Sequence, residues 1–106
     1  MEAQTELICR FTPDGTHIFV NEAYCRYFDI RREDIIGRKY VPKIPKEEQN
    51  QVKKYFSSLT YDKPVGSIEH RILMPDGTLR WQRWNDRAIF DKNKVIIEYQ
   101  SVGRDV

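Results

Sequence analysis

The sequence predicts an α+β fold in which a five-stranded antiparallel sheet is covered on one face by helices. Three observations support this prediction: two β-rich segments open the chain, helical patterns occupy its middle, and three further β-rich segments close it. Strands and helices do not alternate, so a parallel sheet built from βαβ units is not expected. With 106 residues, of which 40% are hydrophobic and 32% charged, the chain has the size and composition of one globular domain.

The first predicted element is a β-hairpin. From Leu7 to Phe11, Leu, Cys and Phe alternate with Ile and Arg, and this period of two is typical of a strand. The segment from His17 to Val20 is again rich in residues that favour strands. Between them lies Pro13-Asp14-Gly15-Thr16, a turn sequence in which proline fixes φ and glycine adopts positive φ at little cost.

Two short helical segments are predicted next. Asn21 is a favoured N-cap and Glu22 suits the positive end of the helix dipole, so we expect a helix from Glu22 to Phe28. A further helical turn is expected from Arg31 to Ile36, closed by Gly37 just beyond its end.

The longest helix is predicted between Lys46 and Leu59. The segment before it, from Tyr40 to Pro45, contains two prolines and is expected to be irregular. Within the helix, the apolar side chains follow the spacing i, i+3, i+4, i+7, which places them on one face. These positions are Val52, Tyr55, Phe56 and Leu59.

Three strands complete the prediction. They span Val65 to Met74, Leu79 to Phe90 and Lys94 to Gly103, with turns at residues 75–78 and 91–93. The tetrapeptide Pro-Asp-Gly-Thr of residues 13–16 recurs at 75–78. We interpret it as the same hairpin chemistry used twice, because the sequences that follow the two copies are unrelated.

Charge and cysteine content narrow the class of protein. The net charge is +2, and acidic residues interleave with the basic ones between Arg31 and Lys54, so no nucleic-acid contact is expected. Two cysteines, Cys9 and Cys25, do not make a disulfide framework. The N-terminus does not resemble a signal peptide and no apolar run approaches about 20 residues, so we expect a cytoplasmic domain without membrane contact.

The sequence offers no motif for catalysis. Its glycines are isolated, which leaves no phosphate-binding loop, and neither His-Glu-x-x-His nor Cys-x-x-Cys occurs. No serine sits in a nucleophile elbow. The candidate metal ligands fall on unrelated predicted elements, so no metal site is expected; they are Cys9, Cys25, His17 and His70. We therefore expect the domain itself not to be an enzyme.

Several local strings, in order along the whole chain, resemble the PAS domain family. They are Phe-x-Pro-Asp-Gly-x-x-x-x-Val-Asn-Glu-Ala from Phe11 to Ala23, Glu33-Asp34-Ile35-Ile36-Gly37-Arg38, Glu69-His70-Arg71 ahead of Pro75-Asp76-Gly77, Arg80-Trp81 after it, and Gly103-Arg104-Asp105-Val106. The last string is similar to the start of the family's Asp-Ile/Val-Thr signature at the exit to an effector domain.

This resemblance implies a sensory and interaction module. In the family, the sheet has the strand order 2-1-5-4-3 and, with its helical flank, encloses a ligand cavity. Such modules feed histidine kinases of two-component systems, diguanylate cyclases or transcription regulators, and they often dimerise. We therefore expect a single domain over residues 7–106, with residues 1–6 as the stub of a linker or capping helix. We also expect a homodimer and an effector domain in the same polypeptide.

The resemblance does not extend to the family's best-known cofactors. In the light-oxygen-voltage branch a cysteine attacks flavin, but Tyr40 stands at that position. Gln82 takes the place of an asparagine of that branch, and Trp84 takes the place of a phenylalanine and would fill much of the cavity. Haem-binding members supply a histidine from the helical segment, and residues 46–59 contain none. Flavin photochemistry and haem are disfavoured, and the sequence requires no cofactor.

A small organic ligand is the remaining candidate for the cavity. Strand alternation places Gln82, Trp84 and Asp86 on the helix-covered side, where Asp86 and Gln82 could orient a polar ligand. The other residues expected around the cavity are Tyr99 on the last strand and Phe28, Tyr40 and Phe56 from the helical segment. The alternative is that the aromatic rings fill the core and the polar groups bond to helix backbone or to a buried water.

The opposite side of the sheet is a candidate interface. Alternation exposes Trp81 and Arg83 there, together with Ile96 and Val102 of the last strand, and tryptophan and arginine are favoured interface anchors. By family resemblance, Asp105 is a candidate for signal transmission through a pair with a basic residue of the sheet. The expected function is thus a regulatory sensor and dimerisation module. The alternatives are a ligand-free interaction scaffold or a flavin or haem light or gas sensor.

Overall fold

A computed structural model describes residues 6–106 and places five strands in one antiparallel sheet. The strands are β1 (Leu7–Phe11), β2 (His17–Val20), β3 (Val65–Leu73), β4 (Leu79–Phe90) and β5 (Ile96–Asp105). Their order is β2-β1-β5-β4-β3, so the last strand lies between the first strand and the hairpin of β3 and β4. The predicted α+β class and strand order are confirmed.

Three helices connect β2 to β3: α1 (Glu22–Phe28), α2 (Arg32–Ile35) and α3 (Lys46–Ser57). The predicted bounds were slightly too long for α2, α3 and β3. The last strand begins at Ile96 rather than Lys94, because Asp91 accepts the amides of Asn93 and Val95 and extends the turn. It continues to Asp105 rather than ending at Gly103. No helix within residues 6–106 has the length and apolar character needed to cross a membrane.

Asn21 joins the first helix to the sheet. Its side-chain oxygen accepts the amide of Tyr24 at 2.9 Å, which caps α1, and also accepts the amide of Ile8 at 3.1 Å. Its side-chain nitrogen donates to the carbonyl of Glu6 at 2.9 Å. One asparagine therefore satisfies a free helix amide and fixes the start of α1 against β1.

The two Pro-Asp-Gly-Thr turns have the same local structure. Gly15 and Gly77 adopt φ values of 93° and 89°, which are left-handed conformations that favour glycine. In both turns the aspartate accepts the amide of the threonine two residues later at 3.0 Å. Two hydrogen bonds lower the pKa of Asp14 to about 2: the larger effect comes from the Thr12 hydroxyl and the smaller one from the Thr16 amide.

The hydrophobic core lies on the helix-covered face of the sheet. Its buried side chains come from β1 to β4, α1 and α2, and include Leu7, Tyr24, Ile35, Ile72 and Trp84. Helix α3 differs, because none of its residues is fully buried. The predicted apolar stripe of α3 is therefore only half covered, and space remains between this helix and the sheet. Of the predicted N-terminal stub, only Glu6 is described, and its carboxylate pairs with Arg104 at 2.9 Å; residues 1–5 lie outside the described residues.

Trp84 lies flat over the backbone of the neighbouring strand. It pairs across the sheet with Gly103, and a Cβ atom added to Gly103 would stand 2.5 Å from the indole ring. Real Cβ atoms do not approach other atoms so closely, so glycine is required for this packing. This contact sets the position of the indole at one wall of the helix-covered face.

We expect Gly103→Ala to lower the free energy of unfolding by about 1–3 kcal/mol, because overpacking displaces the buried indole. Chemical denaturation measures the effect. In a Trp84→Leu background the same change should cost less than about 1 kcal/mol, because the clash is gone. An equal cost in both backgrounds would show that the indole is not the constraint.

Candidate functional site

A cavity of about 190 Å³ lies between the helix-covered face of the sheet and the helical segment. Its walls come from β1, β3, β4 and β5 on one side and from α1, α3 and residues 40–44 on the other. Val41 belongs to the lining and is 74% exposed, so the cavity opens to solvent beside this irregular segment. It is therefore reachable from solvent without unfolding of the core.

Aromatic rings form most of the cavity wall. They are contributed by Phe11, Tyr24, Tyr40, Phe56 and Trp84. The rings of Phe11 and Phe56 meet edge to face at 6.2 Å, and those of Tyr24 and Tyr40 do so at 6.4 Å. Such a wall favours ligands with an apolar or aromatic body.

Asp86 is the carboxylate in the cavity wall. It lies at the middle of β4 with only 2% of its surface exposed. Tyr55 of α3 donates to one carboxylate oxygen at 2.7 Å, and Ser101 of β5 donates to the other. Burial raises the pKa of Asp86 above its ordinary value, although both hydrogen bonds oppose that shift. This carboxylate links α3 to the central strands.

Gln82 lies two residues from Trp84 on the same face. It is fully buried, and its side-chain oxygen accepts the indole N–H of Trp84 at 2.8 Å. Its side-chain nitrogen makes no hydrogen bond within the described part of the chain. A buried amide nitrogen without a partner is unusual in a structural core, which sets Gln82 apart from an ordinary packing residue.

Two buried histidines line the cavity and were not among the predicted site residues. His17 Nδ1 lies 3.1 Å from the carbonyl of Gly15, and His70 Nδ1 lies 2.9 Å from the carbonyl of Arg71. A carbonyl only accepts, so both Nδ1 atoms carry a proton, and Nε2 of His17 accepts the Tyr24 hydroxyl at 3.5 Å. Burial lowers the pKa of His17 and favours its neutral form.

Five of the seven predicted cavity residues line the cavity: Tyr40, Phe56, Gln82, Trp84 and Asp86. The other two pack behind the wall. The ring of Phe28 lies 4.7 Å from that of Tyr24, and the ring of Tyr99 lies 5.0 Å from that of Phe56. Phe28 and Tyr99 therefore support lining residues and do not belong to the cavity wall themselves.

The cavity is small for a ligand site. Sites for drug-sized ligands occupy roughly 300–1,000 Å³, so the cavity of about 190 Å³ is smaller than is usual for them. Among residues 6–106, no three or more His, Cys, Asp or Glu side chains lie in an arrangement that could hold a metal ion.

We call the side of the sheet away from the helices the open face, and the predicted interface residues have the following surroundings. Trp81 is 51% exposed, and Arg83 pairs with Glu69 at 2.7 Å. Val102 is half-buried opposite Asn85. The register of β4 and β5 shifts beyond Ile89, so Ile96 pairs with Phe90 and the alternation that placed Ile96 on the open face is interrupted there.

Asp105 joins three elements at the end of β5. It accepts the Tyr27 hydroxyl of α1 at 2.8 Å and pairs with Arg80 of β4 at 3.3 Å. The next amide, that of Val106, donates to the carbonyl of Trp81 at 3.0 Å. Burial, and to a smaller extent the hydrogen bond to Asp105, raises the pKa of Tyr27 to about 12. The phenol therefore keeps its proton and remains a donor.

Comparison with solved structures shows the same fold in known proteins. A PAS domain from Colwellia psychrerythraea superposes with a TM-score of 0.80 at 19% identity, covering 95% of this chain and 86% of that one. The PAS-B domain of Drosophila melanogaster Cycle with bound ethylene glycol has a TM-score of 0.79 at 12% identity, covering 94% of this chain and 99% of that one.

A curated relative is similar along the whole chain. It is the two-component sensor PprA of Pseudomonas aeruginosa, 26% identical over 105 residues. The match covers 99% of this chain and spans only 11% of the length of that sensor. The family model described as the PAS fold matches residues 17–103. Because this match covers well over half of the chain, the protein belongs to the PAS fold family.

Proposed function

We propose that this PAS domain is a regulatory sensor and dimerisation module of a larger signal-transduction protein. The observation that carries the proposal is the solvent-accessible cavity, which is walled by aromatic rings and holds buried polar groups. A structural core of this size would normally be filled, since voids cost packing energy. The domain itself is non-catalytic in this account, and an effector domain in the same polypeptide carries the output.

The mechanism is a population shift. Ligand binding in the cavity favours one arrangement of α3 and the sheet, and its differential affinity for the two arrangements limits the size of the response. Helix α3 suits a movable wall, because it buries no residue fully and contacts Asp86 and Arg71 through hydrogen bonds. The similarity to a two-component sensor supports an output through a kinase.

Native mass spectrometry of the purified chain tests the cavity directly. We expect a small non-covalent adduct, which Val52→Trp should remove because Val52 of α3 lines the cavity. Gln51→Trp is the matched control, because its neighbouring position is exposed and the adduct should persist. A wild-type chain without an adduct would favour the ligand-free interaction scaffold.

We also propose that the open face is the dimer interface. Trp81 lies there among other exposed apolar side chains, Leu73 and Leu79, next to the Arg83–Glu69 pair. Trp81→Glu should shift the sedimentation profile from dimer to monomer without loss of fold, because a charge would enter the centre of the contact. Lys92→Glu, in the exposed turn between β4 and β5, controls for added charge. A dimer unaffected by Trp81→Glu would exclude this face.

Asp105 is proposed to transmit the signal, because it connects α1 and β4 to the C-terminal exit. Asp105→Ala should speed amide hydrogen exchange at Val106 and lower stability by about 1 kcal/mol, the usual net value of one hydrogen bond and one exposed pair. Asp105→Asn keeps an acceptor for Tyr27 and should retain more of the protection. If Asp105→Ala left both exchange and effector output of the full-length protein unchanged, this role would be wrong.

A further inference from the structure

The charge inside the cavity is one-sided. Only 2% of the surface of Asp86 is exposed. Its two hydrogen-bond partners, Tyr55 and Ser101, are neutral donors. Among the described residues that line the cavity, none is a lysine or an arginine. A buried carboxylate without a cationic partner is energetically costly. A ligand that carries a positive charge would supply the missing partner.

The groups that interact with Asp86 come from β1, β3 and β5 of the sheet and from α3. They are Cys9 of β1, His70 of β3, Ser101 and Tyr99 of β5, and Tyr55 of α3. The Nδ1 of His70 donates to the backbone carbonyl of Arg71 at 2.9 Å. None of these groups is a lysine or an arginine, so within the described residues Asp86 has no ammonium or guanidinium partner.

The aromatic wall complements a cation as well as an apolar body. The faces of aromatic rings attract an ammonium group within about 6 Å, and the attraction grows when water is excluded. Phe11, Tyr24, Phe56 and Trp84 line the same cavity as Asp86. An anionic ligand would meet a carboxylate with no compensating cation, so anions are the class that this cavity disfavours.

The volume limits the size of the ligand. An engineered cavity of roughly 150 Å³ takes up benzene, so about 190 Å³ suits a benzene ring with one short substituent or an aliphatic group of that bulk. We propose that the cavity binds a small protonated amine, whose ammonium group pairs with Asp86 and whose apolar body lies against the aromatic rings. This inference rests on the proposed function of the cavity as the ligand site, and it names the chemical class of the ligand.

Three probes of similar shape test the charge requirement: benzylamine, benzyl alcohol and benzoate. Isothermal titration calorimetry near neutral pH should give benzylamine an affinity at least about tenfold higher than benzyl alcohol, with no detectable binding of benzoate. Acidification should weaken benzylamine binding, since burial raises the pKa of Asp86 and the protonated carboxyl has lost its charge. Equal affinities for benzylamine and benzyl alcohol would overturn the inference, and so would a failure of all three to bind.

Two variants separate charge from structure. Asp86→Asn removes the charge and keeps hydrogen-bonding groups for Tyr55 and Ser101, so the preference for benzylamine should disappear. Tyr55→Phe removes one hydrogen bond but leaves the carboxylate, so the preference should persist, and circular dichroism checks that both variants fold. A preference that survives in Asp86→Asn contradicts the proposal.

The outcome is distinguishable from failure of the proposed function. If benzyl alcohol binds as well as benzylamine and Val52→Trp abolishes both, the cavity is a ligand site but the amine class is wrong. If no probe binds and native mass spectrometry shows no adduct, the cavity function fails as well.

Discussion

The helix-covered side of this domain depends on one buried carboxylate. Asp86 sits at the middle of the central hairpin, and burying a charged or polar group is costly unless it is hydrogen-bonded. Tyr55 and Ser101 provide those bonds, and Tyr55 thereby holds α3 over the sheet. The sheet itself is a continuous five-stranded ladder, whereas α3 buries no residue fully. The structure thus combines a firm wall with a more loosely packed one, which is what a cavity that responds to a ligand requires.

The fold could be predicted well because its local signals agree with one another. Turn chemistry at Gly15 and Gly77, the Asn21 cap and the period of two along β4 are each properties of neighbouring residues, and the structure realises all of them. Element ends were less certain, since they depend on single hydrogen bonds such as those accepted by Asp91. The register shift beside Ile89 also follows from pairing between distant segments, so alternation alone does not determine the face of Ile96.

The candidate site was only partly predictable. Alternation on β4 was enough to place Gln82, Trp84 and Asp86 on one face, because a strand fixes side-chain direction. Sequence periodicity does not determine how the helical segment packs on the sheet. It therefore could not predict that Tyr24 lines the cavity while Phe28 packs behind Tyr24. His70 was not predicted as a site residue, although a signal was present. It shares a strand face with Ile68 and Ile72, and it pairs in the sheet with Gln82, which was predicted.

The central claim is that ligand binding acts on α3 against a fixed sheet. Amide hydrogen exchange of the purified chain, measured with and without saturating benzylamine, tests it most directly. The account predicts slower exchange confined to α3 and the neighbouring residues 40–45, with the amides of β4 and β5 unchanged. Protection spread evenly over the domain, or none in α3, would contradict it.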